Sequence, residues 1–138
     1  MKVVFDTNVF VSSFFGGNPR KIIDRWKTGG IEICLSEEIL EEYLRVLGRL
    51  QVSAPALAEL LNLFKIGDNI VFAETPKKVA IVPEDSTDDK FIECALSAGA
   101  GFIVSGDQHL LKLGKFRGIK MVSPAQFLEV IADQGDFS

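Results

Sequence analysis

The chain has 138 residues, of which 47% are hydrophobic and 25% are charged, and this composition is typical of one compact domain, which we expect to span residues 1–138. Its 19 acidic and 15 basic residues give a formal net charge of −4, which argues against a protein that binds nucleic acid through bulk positive charge. A metal ion held by carboxylates would supply local positive charge, so a nucleic-acid substrate stays compatible with this balance.

We expect neither a transmembrane helix nor a signal peptide. No run of about 18 apolar residues occurs, which excludes a transmembrane helix. Asp6 and Asn8 interrupt the first apolar run before the core of a signal peptide could form. Cys34 and Cys94 lie in apolar runs without the spacing of a zinc knuckle or a redox pair, so we expect buried thiols in a reducing cytoplasm.

The first half of the chain alternates between short apolar runs and helical patterns. The runs carry β-branched or aromatic residues between polar or turn-forming residues, as buried strands do. The helical patterns begin at residues that favour helix caps. In chain order they predict a strand at 2–6, a helix capped by Asn18 from Pro19 to 27, a weaker strand at 31–35, a helix capped by Ser36 over 37–49, and a helix that opens at Ser53 or Ala54 and ends near 65.

The second half continues this alternation. Residues 68–82 are expected to hold one or two extended pieces of undefined bounds. The elements beyond them are a helix capped by Ser86 or Thr87 that ends at Gly99, a strand at 102–105, a weaker strand at 120–122, and a helix that opens at Ser123 with Pro124 and ends near 132. Strands and helices in this order predict a central parallel sheet flanked by helices, a three-layer α/β fold.

Acidic residues lie where such a fold binds ligands. Asp6 ends the first predicted strand and Asp107 follows the strand at 102–105, and ligands of parallel sheets bind beyond the carboxyl ends of the strands. Asp88 lies at the centre of the core-facing stripe of the fourth predicted helix, whereas Asp89 lies about 100° away on its flank. Capping would also explain Asp88 taken alone, but its combination with the acids at strand ends favours a site.

The second predicted helix adds further carboxylates. Glu42 and Glu37 flank its apolar stripe, and the helical wheel does not choose between them. If one of them met Asp6, Asp88 and Asp107 at separations of about 6 Å, each pair of charges would repel by roughly 3 kcal/mol at an effective dielectric constant of 20. Such a cluster cannot stay fully ionised without a cation. Protonation of some members would also relieve the repulsion, but all-oxygen ligands are those that Mg²⁺ or Mn²⁺ prefers.

The sequence lacks the residues that several other reactions need. His109 is the only histidine, and zinc hydrolases use more. A Gly-x-Ser-x-Gly elbow, a Walker loop and a Gly-x-Gly-x-x-Gly motif are absent from the sequence. Phosphoryl chemistry at a metal held by carboxylates remains.

These residues and their spacing resemble the PIN-domain (PilT N-terminus-like) family over about residues 2–128. The resemblance lies in VVFDTNVFVSSF, ILEEYLRVL, DSTDDKFIECALSAGA, FIVSGDQHLL and MVSPAQFL. The chain is most similar to the branch that contains the toxin components of bacterial and archaeal toxin–antitoxin pairs, related to the VapC toxins. The resemblance implies a PIN-like fold and an Mg²⁺- or Mn²⁺-dependent endoribonuclease that cuts RNA by water attack. It further implies a homodimer and inhibition by a small antitoxin protein.

The resemblance also assigns site residues. The family's four acids fall on Asp6, Glu42, Asp88 and Asp107. Asp6, Asp88 and Asp107 would hold metal, and Glu42 would complete the site or position the water. The further acid that members often carry beside the third falls on Asp89, which would also hold metal. Asn8 and Ser105 match small polar positions that orient ligands or water, although Thr is commoner than Ser at the second of these.

Local interpretations stay open for some of these residues. Asn8 could cap the helix after the first strand, and Ser105 could be only a turn residue before Gly106. His109 is expected to help start a helical turn at Leu110 rather than to bind metal. The basic residues available for an RNA backbone are Arg20, Lys21, Lys112, Lys115 and Arg117.

Two other functions remain alternatives at this point. One is an aspartyl phosphatase or a receiver-like phosphoryl-transfer domain, but the phosphatase needs a second acid two residues after the first, where this chain has Asn8. The other is a non-catalytic dimerisation or binding module. It is suggested by apolar residues in excess of what one short helix buries, although the core is the expected place for most of them. These residues are Val9, Phe10, Val11, Phe14 and Phe15.

Overall fold

A six-stranded sheet flanked by helices forms the centre of the computed structural model, which describes residues 1–74 and 89–133. The strand order is β3-β2-β1-β4-β6-β5, and every pairing is parallel except that of β5 with β6. The predicted parallel sheet with flanking helices is thereby confirmed. The strands are β1 (Lys2–Phe5), β2 (Glu32–Ser36), β3 (Ile70–Ala73), β4 (Phe102–Val104), β5 (Lys115–Phe116) and β6 (Ile119–Val122).

The helices agree with the sequence patterns at most of their ends. Ser36 and Ser53 cap the second and third predicted helices as expected, because each side chain accepts a hydrogen bond from the N–H three residues on. The helices are α1 (Thr7–Ser12), α2 (Gly17–Lys27), α3 (Glu37–Arg49), α4 (Ala54–Ile66), α5 (Asp89–Ala98), α6 (Gln108–Leu113) and α7 (Pro124–Asp133).

The start of α2 differs from the prediction that Asn18 caps it. Gly16 is the N-cap residue and Asn18 lies inside the first turn. Gly16 has φ of 107°, a conformation open to glycine because it has no Cβ, so the helix starts two residues earlier than the Asn-Pro pattern suggests.

Two further segments were only partly anticipated. The extended piece expected within 68–82 is β3, while residues 75–82 and the caps proposed at Ser86 and Thr87 lie outside the described residues. The hairpin of β5 and β6 was not predicted beyond the strand at 120–122. Its turn places Arg117 at φ of 49° and Gly118 at 86°, the left-handed pair that a tight hairpin requires.

The core lies on both sides of β1 and β4, whose inner residues are fully buried. α5 packs across β1, β2, β3 and β4. Cys34 on β2 and Cys94 on α5 are both buried, as predicted, and burial raises the pKa of Cys34 to about 11 and that of Cys94 to about 12. Among the apolar residues after β1, those in α1 are buried, whereas Phe15 is 69% exposed.

In the described part of the chain, none of the helices has the length and apolar character needed to cross a membrane.

Candidate active site

Asp6 connects the central strand to the first helix. β1 ends at Phe5, and Asp6 then acts as the N-cap of α1, with Oδ1 accepting a hydrogen bond of 2.7 Å from the Val9 N–H. Its own N–H donates to the Val104 carbonyl of β4 at 3.0 Å. The side chain is 4% exposed, so a carboxylate is fixed in a buried position at the carboxyl end of the sheet.

This burial changes the acidity of Asp6. Burial raises the pKa of Asp6 above its usual value of 3.8, because the charged form loses hydration, and the nearby negative charge of Asp107 raises it further. Hydrogen bonds from the Ser105 hydroxyl and from the N–H groups of Val9 and Gly106 oppose the shift. Positive charge beside this carboxylate would therefore be strongly favourable.

Ser105 links the two acids that follow strands. It is fully buried, its hydroxyl donates to Asp6 Oδ2, and its oxygen accepts a hydrogen bond of 2.9 Å from the Asp107 N–H. Asp107 is the N-cap of α6, where its Oδ1 accepts from the N–H groups of His109 and Leu110 at 2.7 and 3.4 Å. One hydroxyl thus fixes the loop that carries Asp107 relative to the carboxylate of Asp6.

Glu42 reaches the same place from α3. Its Oε2 accepts a hydrogen bond from the Thr7 hydroxyl, and its Oε1 lies 3.1 Å from Lys90 Nζ and 3.8 Å from an Arg45 guanidinium nitrogen. The Glu42 side chain is 22% exposed. Glu37, the other glutamate that the helical wheel left open, is exposed on the same helix.

These groups surround a cleft of about 260 Å³. Of the residues singled out in the sequence, Asp6, Asn8, Glu42 and Asp107 line it. Its other lining residues are Thr7, Arg45, Val46, Arg49, Lys90 and Phe91. Asp88 lies outside the described residues, and Asp89, which begins α5, is buried and is not among the lining residues.

The family model for the PIN domain matches residues 2–109. The chain belongs to the PIN-domain family. Its members are typically nucleases and generally use divalent metal ions, which makes nucleic acid the substrate class. No curated protein and no solved structure with which the chain was compared matches it.

Two local interpretations can be settled in this PIN domain. Asn8 does not cap α1, because Asp6 already accepts the N–H of Val9 and Asn8 is the second residue of the helix, exposed on the cleft. His109 lies in the first turn of α6, as expected, through its N–H bond to Asp107. Its Nδ1 is 3.7 Å from Asp107 Oδ1, and its side chain is 43% exposed.

The basic residues of the cleft were not foreseen. None of the five singled out from the sequence lines it, because they lie on α2, on α6 and in the β5–β6 hairpin, while the cleft is bounded by α1, α3 and the start of α5. Arg45 and Arg49 follow Glu42 by three and seven residues, so helical spacing places them on its face of α3 and could have identified them. Lys90 gave no such signal, because a lysine beside two aspartates is ordinarily solvated.

The donors of the PIN cleft fit a hard divalent cation. Carboxylate, hydroxyl and amide oxygens line it, and Asp107 is close enough to Asp6 for its negative charge to raise the pKa of Asp6. Within residues 1–74 and 89–133, no three Asp, Glu, His or Cys side chains are grouped to hold a metal by themselves. Mg²⁺ commonly takes one or two protein carboxylates and completes its shell with water and substrate phosphates, so this pair is compatible with it.

Proposed function

We propose that this PIN domain is an Mg²⁺- or Mn²⁺-dependent endoribonuclease that hydrolyses phosphodiester bonds of RNA. The observation that carries the proposal is the meeting of three carboxylates around one cleft. Asp6 directly follows β1, Glu42 lies in α3, and Asp107 is the N-cap of α6 after β4. Parallel strands bring their carboxyl ends to one edge of a sheet, where α/β enzymes bind ligands.

Asp6 and Asp107 are the proposed cation ligands among the described residues. A bound divalent cation would lower the pKa of a water molecule and stabilise the leaving oxygen of the phosphodiester. Ser105 keeps the Asp6 carboxylate in place and fixes the Asp107 loop through its two hydrogen bonds. By family resemblance Asp88 completes this set, and Asp89 is the further acid beside it.

Glu42 and Asn8 are the proposed groups that orient the attacking water. Both line the cleft, and the Thr7 hydroxyl restricts rotation of the Glu42 carboxylate. A carboxylate held in one orientation accepts a hydrogen bond from water in one direction, which favours in-line attack.

Arg45 and Arg49 are the proposed contacts to the RNA backbone. The Arg45 side chain is 63% exposed beside the cleft, and Arg49 lies one turn further along α3. Guanidinium groups pair with phosphate oxygens through two parallel hydrogen bonds, and such contacts position the strand without reading its sequence. A local pair of cations explains how a chain of net charge −4 approaches a polyanion.

Cleavage of a fluorescent single-stranded RNA by the purified chain tests the proposal. We expect cleavage with Mg²⁺ or Mn²⁺, none with EDTA, and losses of about 10²–10⁴-fold in Asp6→Asn and Asp107→Asn, with the same loss in Asp88→Asn. Asp24→Asn is the matched control, because Asp24 is an exposed aspartate paired with Arg20 on α2.

The controls separate this activity from its alternatives. Wild-type turnover in Asp6→Asn would refute the assignment. Hydrolysis of a phosphomonoester without cleavage of RNA would instead support the phosphatase alternative, and neither activity would support a non-catalytic binding module.

The cellular role is proposed from the resemblance to toxin components. The chain would act in the cytoplasm as a homodimeric toxin, and a cognate antitoxin protein would inhibit it. Induced expression should then arrest bacterial growth for the wild type and not for Asp6→Asn. Light scattering should give twice the 15.2 kDa chain mass, and a monomer at every concentration would refute the dimer.

A further inference from the structure

Lys90 places a buried ammonium group inside this acidic cleft. Its side chain is 8% exposed, against 63% for Arg45. Lysine is rarely buried to this extent, because the ammonium must give up its hydration and needs a negative partner in return. Glu42 Oε1, at 3.1 Å from Nζ, is such a partner.

The contacts of Glu42 restrict what else this carboxylate can bind. Oε2 accepts the Thr7 hydroxyl, and Oε1 faces the Lys90 ammonium. A divalent cation bound to Oε1 would have to lie beside a unit positive charge or displace it. By contrast, the hydrogen bonds to Asp6 and Asp107 come from neutral hydroxyl and N–H groups, which leave these carboxylates attractive to a cation. The exposed His109 ring lies farther off, with Nδ1 at 3.7 Å from Asp107 Oδ1.

We infer that Lys90 is a positioning residue whose ammonium takes the place of a second metal ion. It holds Glu42 on its own side of the cleft, so that the protein binds one divalent cation, on the side of Asp6 and Asp107. Two-metal sites keep their ions about 3.5–4 Å apart and need carboxylates on both, whereas here one of the carboxylates is neutralised by a residue of the chain itself. This inference rests on the proposed function.

The count of bound Mn²⁺ tests the inference without reference to activity. The full chain is stripped of metal with EDTA, dialysed and titrated with Mn²⁺ alone, and free Mn²⁺ is read by electron paramagnetic resonance. We expect one Mn²⁺ per chain for the wild type and two for Lys90→Met, which removes the charge but keeps an unbranched side chain. Arg45→Met is the matched control and should still bind one, because the exposed Arg45 lies farther from Glu42.

The outcomes distinguish this inference from the proposed function. Two Mn²⁺ per wild-type chain with RNA cleavage intact would overturn the inference about Lys90 but not the proposed function. One Mn²⁺ in Lys90→Met, at the wild-type affinity, would overturn it as well. A wild-type chain that binds no Mn²⁺ would overturn both. If Lys90→Met does not fold, Lys90→Gln replaces it, because glutamine is neutral but can still donate a hydrogen bond to Glu42; this variant should also bind two Mn²⁺. Lys90→Arg keeps the positive charge and should bind one.

Discussion

Tyr43→Phe tests how the segments that carry Asp6 and Glu42 are joined. The Tyr43 side chain is completely buried, and its hydroxyl donates to the Phe5 carbonyl at the end of β1. Its ring stacks on Phe10 of α1, with centroids 4.2 Å apart and planes 6° apart. Phenylalanine keeps this ring contact, so the substitution removes only the hydrogen bond from Tyr43 to Phe5. Tyr43 directly follows Glu42 and Phe5 directly precedes Asp6, so this bond joins the two segments.

The expected cost of Tyr43→Phe follows from the acceptor left behind. A buried carbonyl that loses its partner costs about 1–2 kcal/mol, which for a domain of this length lowers the melting temperature by roughly 3–10 °C. Burial raises the pKa of Tyr43 well above its usual value of 10.0, so the hydroxyl stays protonated and the cost should be the same at neutral and mildly alkaline pH.

Urea unfolding, followed by circular dichroism and by the fluorescence of Trp26, measures this cost. Trp26 is the single tryptophan and is buried, so it reports on the core. The control is Ser13→Ala, because Ser13 donates to the Phe10 carbonyl but that carbonyl also accepts the Ser13 N–H at 3.3 Å and keeps a partner. Equal free energies of unfolding for Tyr43→Phe and the wild type would refute the reasoning.

Further predictions concern groups whose burial is defined. Because the pKa of Asp6 is raised in the folded state, its protonated form adds to the free energy of unfolding below the unfolded pKa, and this contribution is lost as the pH rises through the folded pKa. Without metal, Asp6→Asn should therefore become more stable relative to the wild type as the pH rises from acidic to neutral. A stability difference between the two proteins that does not change with pH would contradict this. Ser105→Ala should lose about 1–3 kcal/mol of unfolding free energy, because the Asp107 N–H loses its acceptor. Ser105→Thr keeps the hydroxyl and should retain RNA cleavage. If Ser105→Ala and Ser105→Thr lost cleavage activity to the same extent, the hydroxyl would not be the group that matters at this position. Cys34 and Cys94 should resist alkylation at pH 8 until the chain unfolds, because burial raises both pKa values to about 11 and about 12, and mass spectrometry of the native chain checks this.

Short-range features of this chain could be predicted from its sequence. Ser36 and Ser53 cap their helices through bonds to the N–H three residues on, and a pattern within one turn contains everything that such a bond needs. The order of strands and helices also predicts a parallel sheet, and with it the edge where Asp6 and Asp107 lie. Local patterns can still mislead: Asn18 was predicted to cap α2, but Gly16, with its positive φ, is the N-cap residue instead.

Long-range contacts were decided only by the tertiary structure. The bond from Ser105 to Asp6 spans 99 positions and the bond from Tyr43 to Phe5 spans 38, and neither follows from a local pattern because each depends on how two elements are placed against each other. Lys90 is the clearest case, since its burial beside Glu42 depends on the packing of α5 against α3. Local sequence patterns determined which elements form and which carboxylates follow them. Tertiary packing decided which charges face one another, because electrostatic and hydrogen-bond energies depend on distances of a few ångströms that spacing along the sequence does not specify.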